Sequence, residues 1–174
     1  MNLKKKIVAL GMVCALAVGM ATSAFAADTR APHDSLVSGK TYVFRPGSSM
    51  TLLVNVYGNG KTNDNVTLYS PTNQNDQKWL IRSADEGAFY VTTALSSTLG
   101  WNVNHSNNNC NLHAYRYNTT DGNDDSAVQF LTANHGIKLR DWNLYMYNAS
   151  ASVNANITWS TNNVRSWNWN NVGY

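Results

Sequence analysis

Residues 53–81, LVNVYGNGKTNDNVTLYSPTNQNDQKWLI, decide the fold of this chain. Apolar and polar residues alternate through 52–57 and 66–69, which is the pattern of short strands with one buried face. Asn, Gly, Asp and Pro fill the stretches between these runs, and such residues favour tight turns. The segment therefore predicts short β-strands joined by turns.

The same kind of pattern recurs along the chain in three copies, at 39–83, 87–134 and 136–172. Two triplets share intervals of 14 and then 10 residues: Asn55, Tyr69 and Trp79, and Tyr145, Trp159 and Trp169. The second copy is less regular, with Asn102, His113 and Phe130 at the three positions. Three copies of about 40–50 residues predict an all-β barrel with pseudo-threefold symmetry, in which no third folds alone.

The tripeptide Gln77-Lys78-Trp79 closes the first copy, which resembles a repeat of the ricin-type (R-type) lectins. The resemblance extends over the chain from residue 39 onward and implies a β-trefoil whose repeats each end in a Q-x-W motif. It places the Trp in the core and the Gln beside the sugar site. The corresponding tripeptides, VQF at 128–130 and WNW at 167–169, lack the Gln at the first position of the motif, and Phe130 and Trp169 are expected in the core with Trp79.

A sugar offers hydroxyls, which planar polar side chains bind, and a C–H face, on which an aromatic ring stacks. The resemblance implies that each site combines an early carboxylate, an aromatic residue on a later strand and an Asn before the Gln. In the first repeat these positions fall on Asn55, Tyr69 and Asp76, with Gln77 beside them. Carboxylate and amide are thus exchanged, and we expect a carbohydrate site here.

The other two repeats are expected to bind less well. In the third, Trp159 takes the aromatic position and Tyr145 the early polar one, so the carboxylate is missing. In the second, His113 takes the aromatic position, but Ala127 stands opposite Asp76. We therefore expect the second site to be degenerate.

The first 26 residues predict export. Three lysines at 4–6 precede an apolar run at 7–21, and Ala24-Phe25-Ala26 has small residues at both positions of an A-x-A cleavage site. A signal peptide at 1–26, a flexible leader at 27–38 and a single domain at 39–174 are expected, in a secreted bacterial protein. Cys110 is then the one cysteine left, and no internal disulfide is possible.

Charge and motifs argue against other classes of protein. Three of the 13 Lys and Arg residues lie at 4–6, so the remaining ones balance the 10 acidic residues. That balance gives no reason to expect nucleic acid or membrane insertion. No zinc spacing, nucleophile elbow or phosphate loop occurs, so no cofactor or metal is expected. The adjacent carboxylates at 85–86 and 124–125 point to opposite faces of an extended chain and are expected in solvated turns.

The sequence thus favours a non-catalytic lectin that binds galactose-type or related glycans, alone or with a toxin or enzyme subunit. The alternative is a protein-binding trefoil, such as a secreted protease inhibitor or a toxin-associated subunit, because a fold does not dictate function. Lys61 and Arg116 are the candidate loop residues for an inhibitor. A third alternative is an extracellular structural component whose sugar sites have decayed.

Overall fold

Twelve short strands form the fold, because β-branched and aromatic residues alternate with polar ones through most of the chain. The computed structural model describes residues 34–116 and 122–173. The strands are β1 (Thr41–Pro46), β2 (Leu53–Tyr57), β3 (Asn65–Tyr69), β4 (Trp79–Ser83), β5 (Phe89–Thr93), β6 (Leu99–Asn104), β7 (Asn109–Ala114), β8 (Val128–Phe130), β9 (Ile137–Leu139), β10 (Tyr145–Asn148), β11 (Ile157–Ser160) and β12 (Trp167–Asn171). Two single 3-10 turns, Asn75–Gln77 and Asp85–Gly87, flank β4.

Six of these strands form a barrel and the other six form three hairpins. The barrel strands pair in the order β12, β1, β4, β5, β8, β9. A backbone hydrogen bond of 2.9 Å from Trp167 N to His135 O joins the start of β12 to the approach of β9 and closes the ring. The hairpins are β2–β3, β6–β7 and β10–β11. This architecture is a β-trefoil, as the sequence predicts.

The three hairpins pair with one another around the pseudo-threefold axis. Asn65 on β3 pairs with Asn111 on β7, and Asn109 on β7 pairs with Thr158 on β11. The third contact is an isolated bridge from Thr67 on β3 to Asn156 before β11. Each hairpin therefore contacts both of the others, and together they cover one end of the barrel.

The hydrophobic core receives large side chains from all three repeats. The indoles of Trp79, Trp101, Trp159 and Trp167 are among its largest members, and each is almost completely buried. Trp101 packs against Trp79 at 5.2 Å and against Phe44 at 5.0 Å between ring centroids. The free thiol of Cys110 is fully buried in the same core, where burial raises its pKa. It is a packed apolar residue.

Two indole hydrogen bonds establish how the repeats correspond. Trp79 Nε1 donates to Val54 O on β2 at 3.0 Å, and Trp167 Nε1 donates to Met146 O on β10 at 3.2 Å. Trp167 is therefore the counterpart of Trp79, and the sequence alignment that assigned this position to Trp169 is wrong by two residues. The spacing of the aromatic residues pointed to the wrong tryptophan, because β12 carries two tryptophans on the same side of the strand.

In the second repeat, too, the sequence alignment with Trp79 is wrong by two residues. Trp79 pairs with Thr93 on the following strand, and Val128 pairs with Leu139 on the strand that follows it. Val128, which is fully buried, is therefore the counterpart of Trp79. Phe130 stands two residues further on, as Trp169 does in the third repeat. Both still pack with the core, as expected, and their ring centroids lie 5.1 Å apart.

The predicted leader differs from the structure at its end. Asp34 accepts hydrogen bonds at its carbonyl from Trp169 Nε1 at 2.8 Å and at Oδ2 from Asn171 N at 2.5 Å. Tyr42 donates its hydroxyl hydrogen to Ser35 O at 2.7 Å. Residues 34–38 are therefore part of the barrel surface, which begins before the predicted boundary at residue 39. The predicted signal peptide and the rest of the leader lie outside the described residues.

Within residues 34–116 and 122–173, no helix has the length and apolar character needed to cross a membrane.

Candidate functional site

The outer face of the first hairpin carries the polar residues that the sequence singles out. Successive side chains of a strand point to opposite faces. Val54 and Leu68 point inward and are fully buried, so Asn55, Thr67 and Tyr69 share the other face. Asn55 and Thr67 stand directly opposite each other across the two strands. Tyr69 is 38% exposed at the end of β3.

This face and the loop after it hold polar atoms without a partner in the protein. Asn55 Oδ1 and Thr67 Oγ1 are both buried and accept or donate no hydrogen bond among the described residues. Asp76 Oδ1, on the 3-10 turn Asn75–Gln77, is also buried without a hydrogen-bond partner among the described residues. An unpaired buried polar atom is costly. Unpaired atoms also occur at the equivalent hairpin positions of the second repeat, Asn102 and Asn111, so the carboxylate oxygen of Asp76 is the unpaired acceptor that distinguishes the first repeat.

An open cleft of about 470 Å³ lies next to this hairpin. Its lining residues come from the turn after β2, from the loop before β4 and from the second repeat: Gly58, Asn59, Gln74, Asn75, Asp76 and Leu95. Of the predicted residues, Asp76 lines the cleft itself. Asn55 precedes it on β2, and Tyr69 ends the strand that leads into the loop. Burial raises the pKa of Asp76, and backbone hydrogen bonds offset part of this effect.

The turn after β2 is held rigid by one carboxylate. Asp64 Oδ2 accepts hydrogen bonds from Asn59 N at 3.0 Å and from Lys61 N at 2.9 Å. Gly60 has a φ of 77°, and a Cβ on it would lie 2.6 Å from the Cβ of Leu95. Glycine is therefore required at residue 60, where the turn of the first repeat approaches the second repeat.

Gln77 supports the other wall of the cleft. Its Oε1 accepts hydrogen bonds from Thr72 N at 2.8 Å and from Thr72 Oγ1 at 3.1 Å, and its Nε2 donates to Ser70 O at 2.8 Å. The side chain is 1% exposed. All of its hydrogen-bonding groups serve the loop, so Gln77 positions Asp76 and is buried away from a ligand. The supporting role that the resemblance implies for Gln77 is the one the geometry favours.

The second repeat has a carboxylate where the sequence alignment placed none. Since Val128 is the counterpart of Trp79, Asp125 and not Ala127 is the counterpart of Asp76. However, His105 Nε2 lies 2.9 Å from Asp125 Oδ1, so this carboxylate is already engaged. Burial raises the pKa of Asp125, and the contact with His105 offsets part of that rise.

His105 stands at the position that Gly58 occupies in the first repeat. Its ring packs against Trp142, with 4.8 Å between centroids, and Trp142 belongs to the loop before β10. A histidine and a tryptophan therefore gather around the second carboxylate, whereas the first repeat has a glycine and an open cleft. The expectation that the second site is degenerate now rests on this contact and not on a missing polar group.

The third repeat offers no comparable site. Trp159 is 2% exposed, and its indole Nε1 donates to Asn102 O at 3.2 Å. Its ring lies in the core, so its predicted role as a stacking surface is wrong. The residue that corresponds to Tyr69 is Ser160, because Met146 opposite Trp159 matches Val54 opposite Leu68.

The early polar position and the carboxylate position of the third repeat also differ from the sequence alignment. Tyr145 pairs with Ser160, as Leu53 pairs with Tyr69, so it does not take the early polar position predicted for it. That position belongs to Tyr147, whose ring lies 5.1 Å from the guanidinium carbon of Arg165. Val164 is the counterpart of Asp76, so the third repeat lacks a carboxylate at this position as well.

Several solved structures are similar to this fold. No protein-family profile and no curated protein matches the sequence. Among solved structures, a mosquitocidal holotoxin matches with a TM-score of 0.64 at 13% identity, covering 80% of this chain and 18% of the holotoxin. The Rhizoctonia solani agglutinin matches at 0.58 and 16% identity, covering 79% and 98%. The C-half of the earthworm R-type lectin, in complex with GalNAc, matches at 0.56 and 10%, covering 76% and 98%.

These similarities confirm the fold predicted from the sequence. The chain has the β-trefoil fold of the ricin-type lectins, and it spans 18% of the length of the holotoxin that it matches. Identities of 10–16% concern the fold alone.

Proposed function

We propose that this chain is a non-catalytic carbohydrate-binding protein that holds a neutral, galactose-type sugar at the first repeat. The single observation that carries the proposal is the open cleft lined by the Asp76 carboxylate, next to a hairpin face with unpartnered polar atoms and an exposed tyrosine.

The chemistry of this region suits a sugar ring. A carboxylate oxygen at Asp76 accepts hydroxyl hydrogens, and Asn59 and Asn75 offer both donors and acceptors. The exposed ring of Tyr69 provides an apolar face on which C–H groups stack, with little side-chain entropy lost. The sugar class is supported by analogy, since the earthworm lectin of the same fold was solved with GalNAc.

The geometry supports one such site. In the second repeat, His105 engages the equivalent carboxylate, and in the third repeat a valine replaces it. One shallow, polar site gives weak binding, because hydroxyl contacts replace contacts with water. Millimolar affinity for a monosaccharide is therefore expected, with tighter apparent binding to surfaces that present many copies.

A glycan-array screen followed by calorimetry with methyl galactosides tests the proposal. Wild-type protein should bind galactose-type glycans selectively, and Tyr69→Ala should lose at least tenfold in affinity while keeping its fold. Tyr147→Ala is the matched control, because this tyrosine lies on the outer face of the third hairpin. Silence of the folded protein across the array, or equal binding by Tyr69→Ala, would contradict the proposal.

We also propose that the chain is exported, on the strength of the lysines, apolar run and Ala-Phe-Ala at residues 1–26. Expression of the full sequence in a bacterium should release a protein whose mature amino terminus is Ala27. Retention of the intact amino terminus inside the cell would contradict this part of the proposal.

The similarity to a mosquitocidal holotoxin favours a second candidate, in which the trefoil serves as the binding part of a larger toxin assembly. This candidate also includes binding to a protein partner. A folded protein that binds no glycan on the array would direct the search towards it.

A further inference from the structure

A second cleft, of about 380 Å³, lies away from the sugar cleft, beside β5 and the loop that leads to β8. Its size falls at the lower end of the range of small-molecule pockets, which is about 300–1,000 Å³. Tyr90, Arg116, Asp124, Arg140, Ser83 and Asp85 line it. Neither the resemblance nor the proposed sugar site uses these residues.

The carboxylate of Asp124 has its acceptors occupied. Its Oδ1 accepts from Ser126 N at 2.8 Å, from Ser126 Oγ at 2.7 Å and from Ala127 N at 3.2 Å. Its Oδ2 accepts from Tyr90 Oη at 2.7 Å. The prediction that Asp124 and Asp125 form a solvated turn is wrong, since each is 2% exposed. Asp124 therefore builds the wall of the cleft.

Arg140 is also committed to a partner. Its Nε and Nη2 donate to the two carboxylate oxygens of Asp141 at 2.6 and 2.9 Å. Asp141 Oδ2 additionally accepts from Asp124 N at 2.8 Å. This fork holds the pKa of Asp141 below its usual range. Asp141 therefore neutralises Arg140, which holds the wall of the cleft without adding net charge to it.

Arg116 is different, because its guanidinium is held in place and yet has no carboxylate within ion-pair distance among the described residues. Its guanidinium carbon lies 5.7 Å from the ring centroid of Tyr90 and 5.6 Å from that of Tyr115. The two rings are 5.4 Å apart. Arginine stacked on aromatic rings keeps its five N–H donors free in its plane, where they can take a carboxylate with two parallel hydrogen bonds.

The backbone of Arg116 is held in an unfavourable conformation. Its φ is 64°, in the left-handed region that glycine and asparagine tolerate best, and five of the seven described non-glycine residues with positive φ are Asn or His. Its N–H donates to Ser126 Oγ at 3.1 Å, which keeps it there. An asparagine at residue 116 would suit the backbone better than the arginine does.

The remaining lining residues suit hydroxyl groups. Asp85 is exposed, lies on the turn between β4 and β5, and makes no ion pair with Arg116 although both line the cleft. Its carboxylate can accept hydroxyl hydrogens, and Ser83 can donate one. A cation for a carboxylate and acceptors for hydroxyls therefore face the same space.

We propose that this second cleft binds the acidic residue of a glycan, a uronate-type sugar, with its carboxylate on Arg116 and its hydroxyls towards Asp85 and Ser83. The two clefts share no lining residue, so each can be altered by substitution without removing a residue from the other. The protein would then recognise glycans by a neutral sugar at one site and an acidic sugar at the other.

A titration followed by ¹H–¹⁵N NMR tests the proposal, with methyl β-glucuronide against the matched neutral ligand methyl β-glucoside and against acetate. We expect the glucuronide to shift the amide signals of Ser83, Asp85 and Arg116, and its affinity to fall as salt is raised. The glucoside should bind with at least tenfold lower affinity, as measured from the same amide signals. Acetate should bind more weakly than the glucuronide because it lacks the hydroxyls.

Arg116→Asn should lose at least tenfold in glucuronide affinity with unchanged or increased stability, because it removes the guanidinium and relieves the backbone. Arg165→Asn is the matched control, since Arg165 also stacks on a tyrosine but outside the cleft. Equal binding by wild type and Arg116→Asn, or equal shifts with glucoside and glucuronide, would overturn the proposal. Acetate binding as tight as the glucuronide would overturn its sugar part.

Galactoside binding at the first repeat serves as the independent readout. Arg116→Asn should leave it unchanged, and Tyr69→Ala should leave glucuronide binding unchanged. The two measurements therefore show separately whether the galactoside proposal or the glucuronide proposal fails.

Discussion

At the scale of single residues, burial decides the role of each aromatic side chain. Tyr69 is the last residue of β3 and Trp159 the last but one of β11, and both fit the spacing of a stacking ring. The tryptophan is 2% exposed and bonds to Asn102 O, whereas the tyrosine is 38% exposed. A shift of one residue along a strand moves a side chain to the opposite face. An aromatic residue at the same spacing therefore packs in the core in one repeat and faces solvent in another.

Replacing Trp159 tests this assignment directly. Trp159→Ala should lower the free energy of unfolding by about 3–5 kcal/mol, because it leaves a large cavity in the core. Tyr69→Ala should change it by less than about 1 kcal/mol, since an exposed ring contributes little packing. Urea unfolding followed by circular dichroism measures both. Similar stabilities for the two variants would contradict the burial of Trp159.

The carboxyl of Asp76 should make sugar binding depend on pH. Burial raises its pKa above the usual range of aspartate, so it becomes protonated at a higher pH than an exposed aspartate does. The carboxylate is the better acceptor for hydroxyl hydrogens, so affinity should be full above this raised pKa and should fall as the pH drops through it.

Calorimetry with a galactoside from neutral to acidic pH measures this effect, provided that the fold persists by circular dichroism. Asp76→Asn keeps an acceptor that does not titrate, and its weaker binding should be independent of pH. The same pH profile in wild type and Asp76→Asn would assign the dependence to another group.

At the scale of elements, a loop is positioned by one buried amide. The segment between β3 and β4 has little regular structure, and Gln77 makes three hydrogen bonds that hold it. Ser126 takes this position in the second repeat, where its Oγ accepts from Arg116 N at 3.1 Å. The first two repeats thus support this loop with a side chain at the same position, although the residue type differs.

Gln77→Ala should weaken both the loop and the site. Its unsatisfied partners, Thr72 N and Ser70 O, should cost about 1–3 kcal/mol of stability, and galactoside affinity should fall although Gln77 lies away from the ligand. Gln129→Ala is the control, because Gln129 belongs to the tripeptide that the sequence aligned with Q-x-W. Unfolding free energy and affinity are measured for both. Equal losses in the two variants would show that Gln77 has no special role.

At the scale of the whole molecule, the core belongs to no single repeat. Trp101 of the second repeat packs on Trp79 and Phe44 of the first, and Trp159 of the third donates to Asn102 of the second. The barrel closes only when β12 of the third repeat pairs with β1 of the first and bonds to the approach of β9. Each repeat thus buries its apolar residues against the other two.

A chain that ends at Asn134 should therefore fail to fold. It lacks β9 to β12, so β1 loses its pairing with β12 and Phe44 loses the contact with the ring of Trp169. Circular dichroism and NMR dispersion should show an unfolded or aggregated chain, while the full domain unfolds in urea in one transition, the same by fluorescence and circular dichroism. A shortened chain with native-like dispersion would contradict this view of the core.

The sequence by itself determined the all-β class, the three repeats and the core position of Trp79, and it predicted a candidate sugar site at Asn55, Tyr69 and Asp76. These follow from local alternation, from turn residues and from one intact Q-x-W, all of which can be read within a single repeat.

Only the tertiary structure decided the alignment of the other repeats and the neighbours of each site. Trp159 rather than Ser160 faces the core, His105 engages Asp125, Leu95 walls the first cleft, and Arg116 stacks on Tyr90. Loop lengths differ between repeats, so spacing alone leaves the register open by one or two residues. Each of these contacts depends on that register or on how separate strands and loops pack together, which local sequence patterns do not encode.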